Sequence, residues 1–248
     1  MTDTKMPSAP KKVAVLSYHK VGEPAPGGWN TWFYIPEKTF MAQIRYLQND
    51  GWEVIDIHAF LRGMTDPDTL PNRACLITFD DGYSVTMRIA SRWLERNGFP
   101  SVLFMSTDYV GGTNTFDKGV EPEERMCDWR ELRALQGAGV SIQSHGVTHR
   151  RMSELAIDAQ RDELTRSKAV LEDNLDRPVE TIAFPFGDAG DTLHDFARPL
   201  REAGYVAGFA YGGGAVSLPT ETPFFMSRLA MGPDTNFNVE LVRERRMA

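Results

Sequence analysis

The sequence predicts an α/β fold in which parallel strands close into a (β/α) barrel, and three observations carry that expectation. Short β-rich runs alternate with helical patterns along the 248 residues, as a largely parallel sheet with outer helices requires. Several helical patterns stop at a glycine, the residue that most easily adopts the left-handed turn ending a helix. The polar residues able to do chemistry fall just beyond strand ends, where a parallel barrel gathers them on one face.

Strand runs fall at residues 13–18, 53–57, 75–79, 102–106, 140–143, 181–184, 206–211 and 225–231, each short, β-branched or aromatic and bounded by turn residues. Helical patterns fall at 37–49, 85–97, 129–136, 153–174, 193–202 and 237–245, and Gly51, Gly98, Gly137 and Gly204 follow four of them. Seven or eight strands in a chain of this size favour closure over an open sheet. No internal repeat and no interdomain linker is visible, so residues 13–248 are expected to form one domain after a flexible N-terminus, 1–12. The longest segments without a pattern are 22–36 and 111–126; long loops in compact domains are often binding elements.

Apolar residues make up 42% and charged residues 25% of the chain, ordinary globular usage that argues against a disordered, collagen-like or coiled-coil protein. Lys plus Arg total 27 against 34 Asp plus Glu, a formal charge of -7. No basic stripe accompanies that balance, so a nucleic-acid partner is not expected. Cys75 and Cys127 are too few for a disulfide framework, although one bridge stays open. The apolar run 13–16 is far too short for a signal-peptide core or a membrane span. The chain as written is therefore expected to be cytoplasmic, or periplasmic or extracellular if a signal has been removed. No pattern sets an oligomeric state.

The strand ends gather the chemistry. Strand 13–18 runs into His19, strand 75–79 into Asp80 and Asp81, strand 140–143 into Ser144, His145 and then His149, and strand 181–184 into Pro185. His58 begins a helix-like stretch and His194 lies in an amphipathic helix; both read as structural. The His145–His149 spacing suits a metal, and one carboxylate would complete a two-His-plus-acid set with open positions. Asp81 is the natural third ligand. Asp80, beside the ion but not bound to it, is then placed to take a proton from the water that the ion acidifies to a pKa of about 7. Gly82 lets the chain turn sharply there, and the Tyr83 backbone N–H is a donor for a developing oxyanion. The bland alternatives are an acidic pair capping helix 85–97 and two loop histidines paired by chance.

The string Thr78-Phe79-Asp80-Asp81-Gly82-Tyr83 and the string Ser144-His145-Gly146-Val147-Thr148-His149 resemble the two metal-site motifs of the polysaccharide deacetylases, carbohydrate esterase family 4. The resemblance implies a distorted (β/α) barrel of about seven strands, with Asp80 as catalytic base and Asp81, His145 and His149 as metal ligands. Ser17-Tyr18-His19-Lys20-Val21, Cys127-Asp128-Trp129, Ala183-Phe184-Pro185-Phe186-Gly187 and Ser227-Arg228-Leu229 resemble the poly-N-acetylglucosamine deacetylase branch. In that branch the N-terminal Tyr-His supplies the general acid, which implies that role for His19. Many relatives carry an Arg before the proline of the third motif to orient the base, where this chain has Phe184. Asp128 and Arg228 are the candidates to replace it.

The resemblance thus implies metal-dependent hydrolysis of an N-acetyl group from an N-acetylglucosamine-containing poly- or oligosaccharide. The divalent ion is expected to be zinc, with iron, cobalt or nickel also suited to the donor set. The alternatives are a cytoplasmic amidohydrolase for a small non-sugar amide and an inactive carbohydrate-binding relative. Trp32 and Trp129 are candidate sugar-contacting aromatics and Pro185 a candidate pocket residue.

Overall fold

The computed structural model describes residues 10–190, 193–237 and 240–241, apart from the side chains of 193–196. The elements run β1 Lys11–Tyr18, β2 Lys20–Val21, β3 Tyr34–Ile35, α1 Glu37–Asn49, β4 Glu53–Val54, α2 Ile57–Thr65, β5 Ala74–Phe79, α3 Ser84–Arg96, β6 Ser101–Met105, α4 Trp129–Gly137, β7 Val140–Ser144, α5 Ile157–Leu175, β8 Thr181–Ala183, α6 Leu193–Glu202, β9 Ala207–Phe209, β10 Val216–Leu218 and β11 Leu229–Ala230.

Strands β1, β5, β6, β7, β8 and β9 lie side by side in that order, all parallel. On the free side of β1, β11 pairs in parallel through Leu16↔Leu229 and Ser17↔Ala230. A few residues earlier, Met226 bridges Phe209 of β9, also in parallel. The segment from Met226 to Ala230 therefore joins the two edges of the curled sheet, and seven parallel strands make the ring. The seam is thin, a two-residue strand and a single bridge, which is what makes the barrel distorted. At the start of β1, β10 pairs antiparallel, and β4 flanks the start of β5.

Strand alternation sorts the core into two layers. Val13, Val15, Leu76, Val102, Phe104, Ala183, Phe209 and Met226 fill the barrel, joined by Phe60 of α2, whose ring lies 5.5 Å from Phe209. Ala14, Leu16, Tyr18, Cys75, Ile77 and Phe79 face outward onto Phe40, Ile44 and Leu47 of α1 and Met87, Ala90 and Leu94 of α3. Each large apolar side chain buried this way contributes roughly 1.5–3 kcal/mol. The inward phase continues through Ser17 and Thr78, both fully buried, and the next position in that phase is Asp80.

Helix α1 occupies the residues that its apolar spacing predicts, and α3, α4 and α6 agree within a residue. The expected strand 53–57 is cut to Glu53–Val54 because Asp56 caps α2, accepting a hydrogen bond from Ala59 N at 2.6 Å. The expected helix 153–174 begins only at Ile157, after a short 3-10 turn at Met152–Glu154. There the Gln160 side chain donates to the Met152 and Leu155 carbonyls and fixes the turn. Strands β2 and β3 lie at either end of the segment 22–36 that lacked a pattern, and β10 was not foreseen. Most of the expected helix 237–245, residues 1–9 of the expected flexible N-terminus and the His194 side chain fall outside the described residues. Cys75 and Cys127 are buried and unbridged. Among the described residues no helix is long and apolar enough to cross a membrane.

Candidate active site

The site lies at the C-terminal ends of β1, β5 and β7. Asp80 N–H donates to Tyr18 O at 2.9 Å, which prolongs the β1–β5 ladder by one residue and keeps Asp80 pointing into the barrel mouth. The chain then reverses, with Asp81 at φ 69° and Gly82 at φ 98°. Asp tolerates the left-handed region better than most residues. Gly82 is required twice over, by its φ and because a Cβ would run into Met105 Sδ. The reversal aims Asp80 and Asp81 at different partners.

Asp81 Oδ1 lies 3.0 Å from His149 Nε2 and 3.3 Å from His145 Nε2. His145 is oriented by its other nitrogen: Nδ1 is 2.7 Å from Ala183 O. A carbonyl only accepts, so Nδ1 carries a proton, and that bond fixes the ring with Nε2 towards Asp81. His149, at φ 55°, is clamped by Phe116, stacked at 3.9 Å, and by the edge of Phe186 at 4.9 Å. The loop between the two histidines is pinned by Glu163 of α5. One of its oxygens accepts from Val147 N at 2.6 Å and Thr148 N at 3.0 Å, and the other accepts from the Thr148 hydroxyl.

These three side chains are buried, and their ligand atoms lie within 4.8 Å of one another. Two imidazole nitrogens crowding one carboxylate oxygen need a proton or a cation between them. Two imidazoles and a carboxylate with a side open to a cavity form the donor set of a catalytic divalent-ion site, so the residues fit a metal. Burial disfavours the Asp81 carboxylate, but the hydrogen bonds from His145 and His149 hold its pKa well below the usual range.

Asp80 is held differently. Arg228 donates from Nη1 to Oδ1 and from Nη2 to Oδ2, both at 2.7 Å, with the guanidinium fully buried. Arg228 Nε also donates to Ala210 O at 2.8 Å, which fixes the fork in place. Burial raises the Asp80 pKa, and the Arg228 charge and hydrogen bonds more than offset it, so the carboxyl stays ionised. Arg228 reaches it from the seam that closes the barrel.

His19 completes this side, with Nε2 3.7 Å from Asp80 Oδ2 and its ring between Phe33 at 4.7 Å and Tyr211 at 5.1 Å. Burial lowers its pKa despite the acids nearby, so the imidazole rests neutral. The Tyr83 N–H lies at the start of α3. The bridge of Tyr83 to Met126 runs through Cys127 N to Gly82 O and Ser84 N to Arg125 O, so neither of its bonds uses that N–H.

Together these groups floor a cavity of about 330 Å³ whose walls include Phe33, Phe184, Phe186 and Tyr211. The loop 111–126 supplies the remaining wall through Asp117, Val120 and Glu121. It is tied down by a buried ion pair, Lys20 Nζ to Glu121 Oε2 at 2.6 Å, with Lys20 between the Tyr34 and Tyr83 rings. Burial and the neighbouring Asp81 push the Asp117 carboxyl up to about 6.

The structure thus brings Asp80, Asp81, His145, His149, His19, Tyr83 and Arg228 together. It places the other candidates elsewhere. Asp128 does not orient Asp80; it is the N-cap of α4, accepting from Glu131 N at 2.8 Å in a capping box. Trp129 opens that helix and packs on the outer core layer. Pro185 is buried and starts a tight turn that delivers Phe186 and Gly187 to the cavity. Trp32 lies beside a neighbouring cavity. His58 is exposed, 3.7 Å from Glu180. Sequence reasoning missed Glu163, Lys20, Glu121, Asp117 and Phe116. Glu163 sits in an ordinary amphipathic helix pattern, and only its burial against a loop distinguishes it.

Comparison with known proteins gives the class. The sequence profile described as polysaccharide deacetylase matches residues 68–207. The chain belongs to the polysaccharide deacetylase family, and so to the hydrolases. It is 25% identical over 209 residues to YxkH of Bacillus subtilis (strain 168), whose name classes it with the polysaccharide deacetylases; the match covers 84% of this chain and 67% of that one. It is 22% identical over 211 residues to the poly-beta-1,6-N-acetyl-D-glucosamine N-deacetylase of Staphylococcus aureus (strain MRSA252), covering 82% and 69%. Among solved structures, Streptococcus pyogenes deacetylase PplD superimposes with a TM-score of 0.79 at 18% identity, covering 95% of this chain and 98% of that one. IcaB from Ammonifex degensii superimposes at 0.75 and 22%, covering 90% and 93%. These structural likenesses establish the fold.

Proposed function

We propose that this protein is a divalent-metal hydrolase that removes N-acetyl groups from an N-acetylglucosamine-containing poly- or oligosaccharide. The observation that carries the reading is the split of two adjacent carboxylates, with Asp81 turned to two histidines and Asp80 turned to Arg228. The name of the Staphylococcus aureus relative supports the sugar.

Asp81, His145 and His149 would hold the ion, with zinc favoured and iron, cobalt or nickel also suited. When bound, a divalent ion acidifies a coordinated water and polarises the acetamide carbonyl. Asp80, ionised and fixed by Arg228, accepts the proton of the attacking water. The Tyr83 N–H donates to the oxygen that gains charge. His19 starts neutral and lies close enough to Asp80 to receive that proton and pass it to the departing amine.

Acetate release tests the proposal, with N-acetylglucosamine oligomers compared against simple acetamides. Release from the oligomers, slowed by His19→Ala, is the expected result. Turnover of acetamides alone points to a small-amide hydrolase, and no turnover of either contradicts the proposal.

A further inference from the structure

The two imidazoles of the metal-site candidates are positioned by different physical means. His145 Nδ1 meets the Ala183 carbonyl at 2.7 Å. That is the usual arrangement of a metal-binding histidine, in which a hydrogen bond at the far nitrogen orients the ring and makes the near nitrogen a stronger donor. His149 Nδ1 is buried and meets no hydrogen-bond partner among the described residues. What holds this ring is aromatic: Phe116 stacks on it at 3.9 Å and 27°, and Phe186 crosses it at 4.9 Å and 69°.

Each ring of this clamp is itself backed. Tyr109 packs edge-on with Phe116 at 4.7 Å, and its hydroxyl donates at 3.3 Å to Thr148 O, in the residue before His149. The Arg151 guanidinium lies over Phe186 at 4.3 Å. The Phe186 backbone is left-handed, at φ 59° and ψ 12°, a region that a bulky residue enters only at a cost. Even so, 47% of Phe186 remains exposed. A ring placed for core packing would be buried and unstrained, so Phe186 is held for the sake of what it touches.

We infer that Phe116 and Phe186 are positioning residues of the metal site, doing for His149 what the Ala183 carbonyl does for His145, and that His149 is the ligand through which an ion enters and leaves. Stacking fixes the plane of an imidazole but not its direction within that plane, whereas a hydrogen bond fixes both. His149 stands on a loop with its backbone at φ 55°, while His145 prolongs β7, its N–H bonded to Met105 O at 3.0 Å. With no bond at Nδ1, His149 is also the weaker donor of the two. The inference rests on the metal reading of Asp81, His145 and His149 and is independent of the substrate.

The test follows the metal rather than the reaction. Protein loaded with cobalt(II), whose visible absorption reports its ligands, is mixed with excess chelator, and the decay of that absorption gives the release rate. Phe116→Leu and Phe186→Leu should each speed release about tenfold, the low end of what loss of support behind a metal ligand costs. Phe116→Tyr keeps the stacking face and should keep the wild-type rate. Phe186→Gly separates this role from a structural one: it relieves the left-handed backbone, so the urea midpoint of metal-free protein should hold or rise while release still speeds. Wild-type release rates in the Leu and Gly variants overturn the inference, as does a Phe186→Gly protein that loses stability and keeps its cobalt. Wild-type protein that takes up no cobalt overturns the metal reading itself, and the inference with it.

Discussion

Arg228 grips both oxygens of Asp80, one nitrogen to each at 2.7 Å, and neither side chain is open to solvent. A planar guanidinium meeting a carboxylate edge to edge fixes its orientation as well as its charge. Asp80 is therefore held ionised in one orientation.

Removing that grip should be costly in two measurable ways. Arg228→Met leaves a buried carboxylate without its partner, a loss of about 3–5 kcal/mol that denaturant unfolding would read. It also withdraws the charge that holds Asp80 low, so the acid limb of the pH–rate profile moves to higher pH. Arg228→Lys restores the charge without the fork and should recover stability better than turnover.

The same pair predicts how stability depends on pH. The folded Asp80 pKa lies below its unfolded value, because Arg228 outweighs burial. The folded state then binds fewer protons, so this contribution is fully present above the unfolded carboxyl range of about 4 and is lost as pH falls through the lower folded value. Urea midpoints measured from neutrality down through that range should converge for wild type and Asp80→Asn as the pH falls.

How much of this was legible depends on what kind of relation each residue takes part in. The metal-site candidates lie within two short strings, and strand ends of a parallel barrel had to bring those strings together. Arg228 could be named as a candidate from its string, but so could Asp128. Only the fold separates them, since β11 carries Arg228 into the barrel seam while Asp128 meets its own helix start. The closing seam was overestimated as a strand, 225–231, because an apolar β-rich run does not reveal that it pairs at only a few points. The Lys20–Glu121 tie and the Glu163 clamp join residues far apart in sequence whose local patterns say nothing of burial.

Glu163 should govern metal affinity without touching metal. It holds the Val147 and Thr148 N–H groups that set the spacing of His145 and His149. Glu163→Ala leaves those donors without an acceptor. Loss of such support typically weakens metal binding 10–100-fold, which competition with a chromophoric chelator would measure, while turnover per bound ion changes far less.

Metal should also stabilise the fold. A ligand present at a hundred times its dissociation constant adds about 2.7 kcal/mol to the folded state. The melting temperature should fall on chelation and recover on adding zinc, whereas Asp81→Asn protein should show little response to either.

The most direct test of the division between the two carboxylates is turnover per bound metal ion in Asp80→Asn protein. With Asp80 the base and Asp81 the ligand, the variant retains its metal and loses some 10²–10⁴ in acetate release per ion. Undiminished release per ion, or loss of the metal itself, would contradict it.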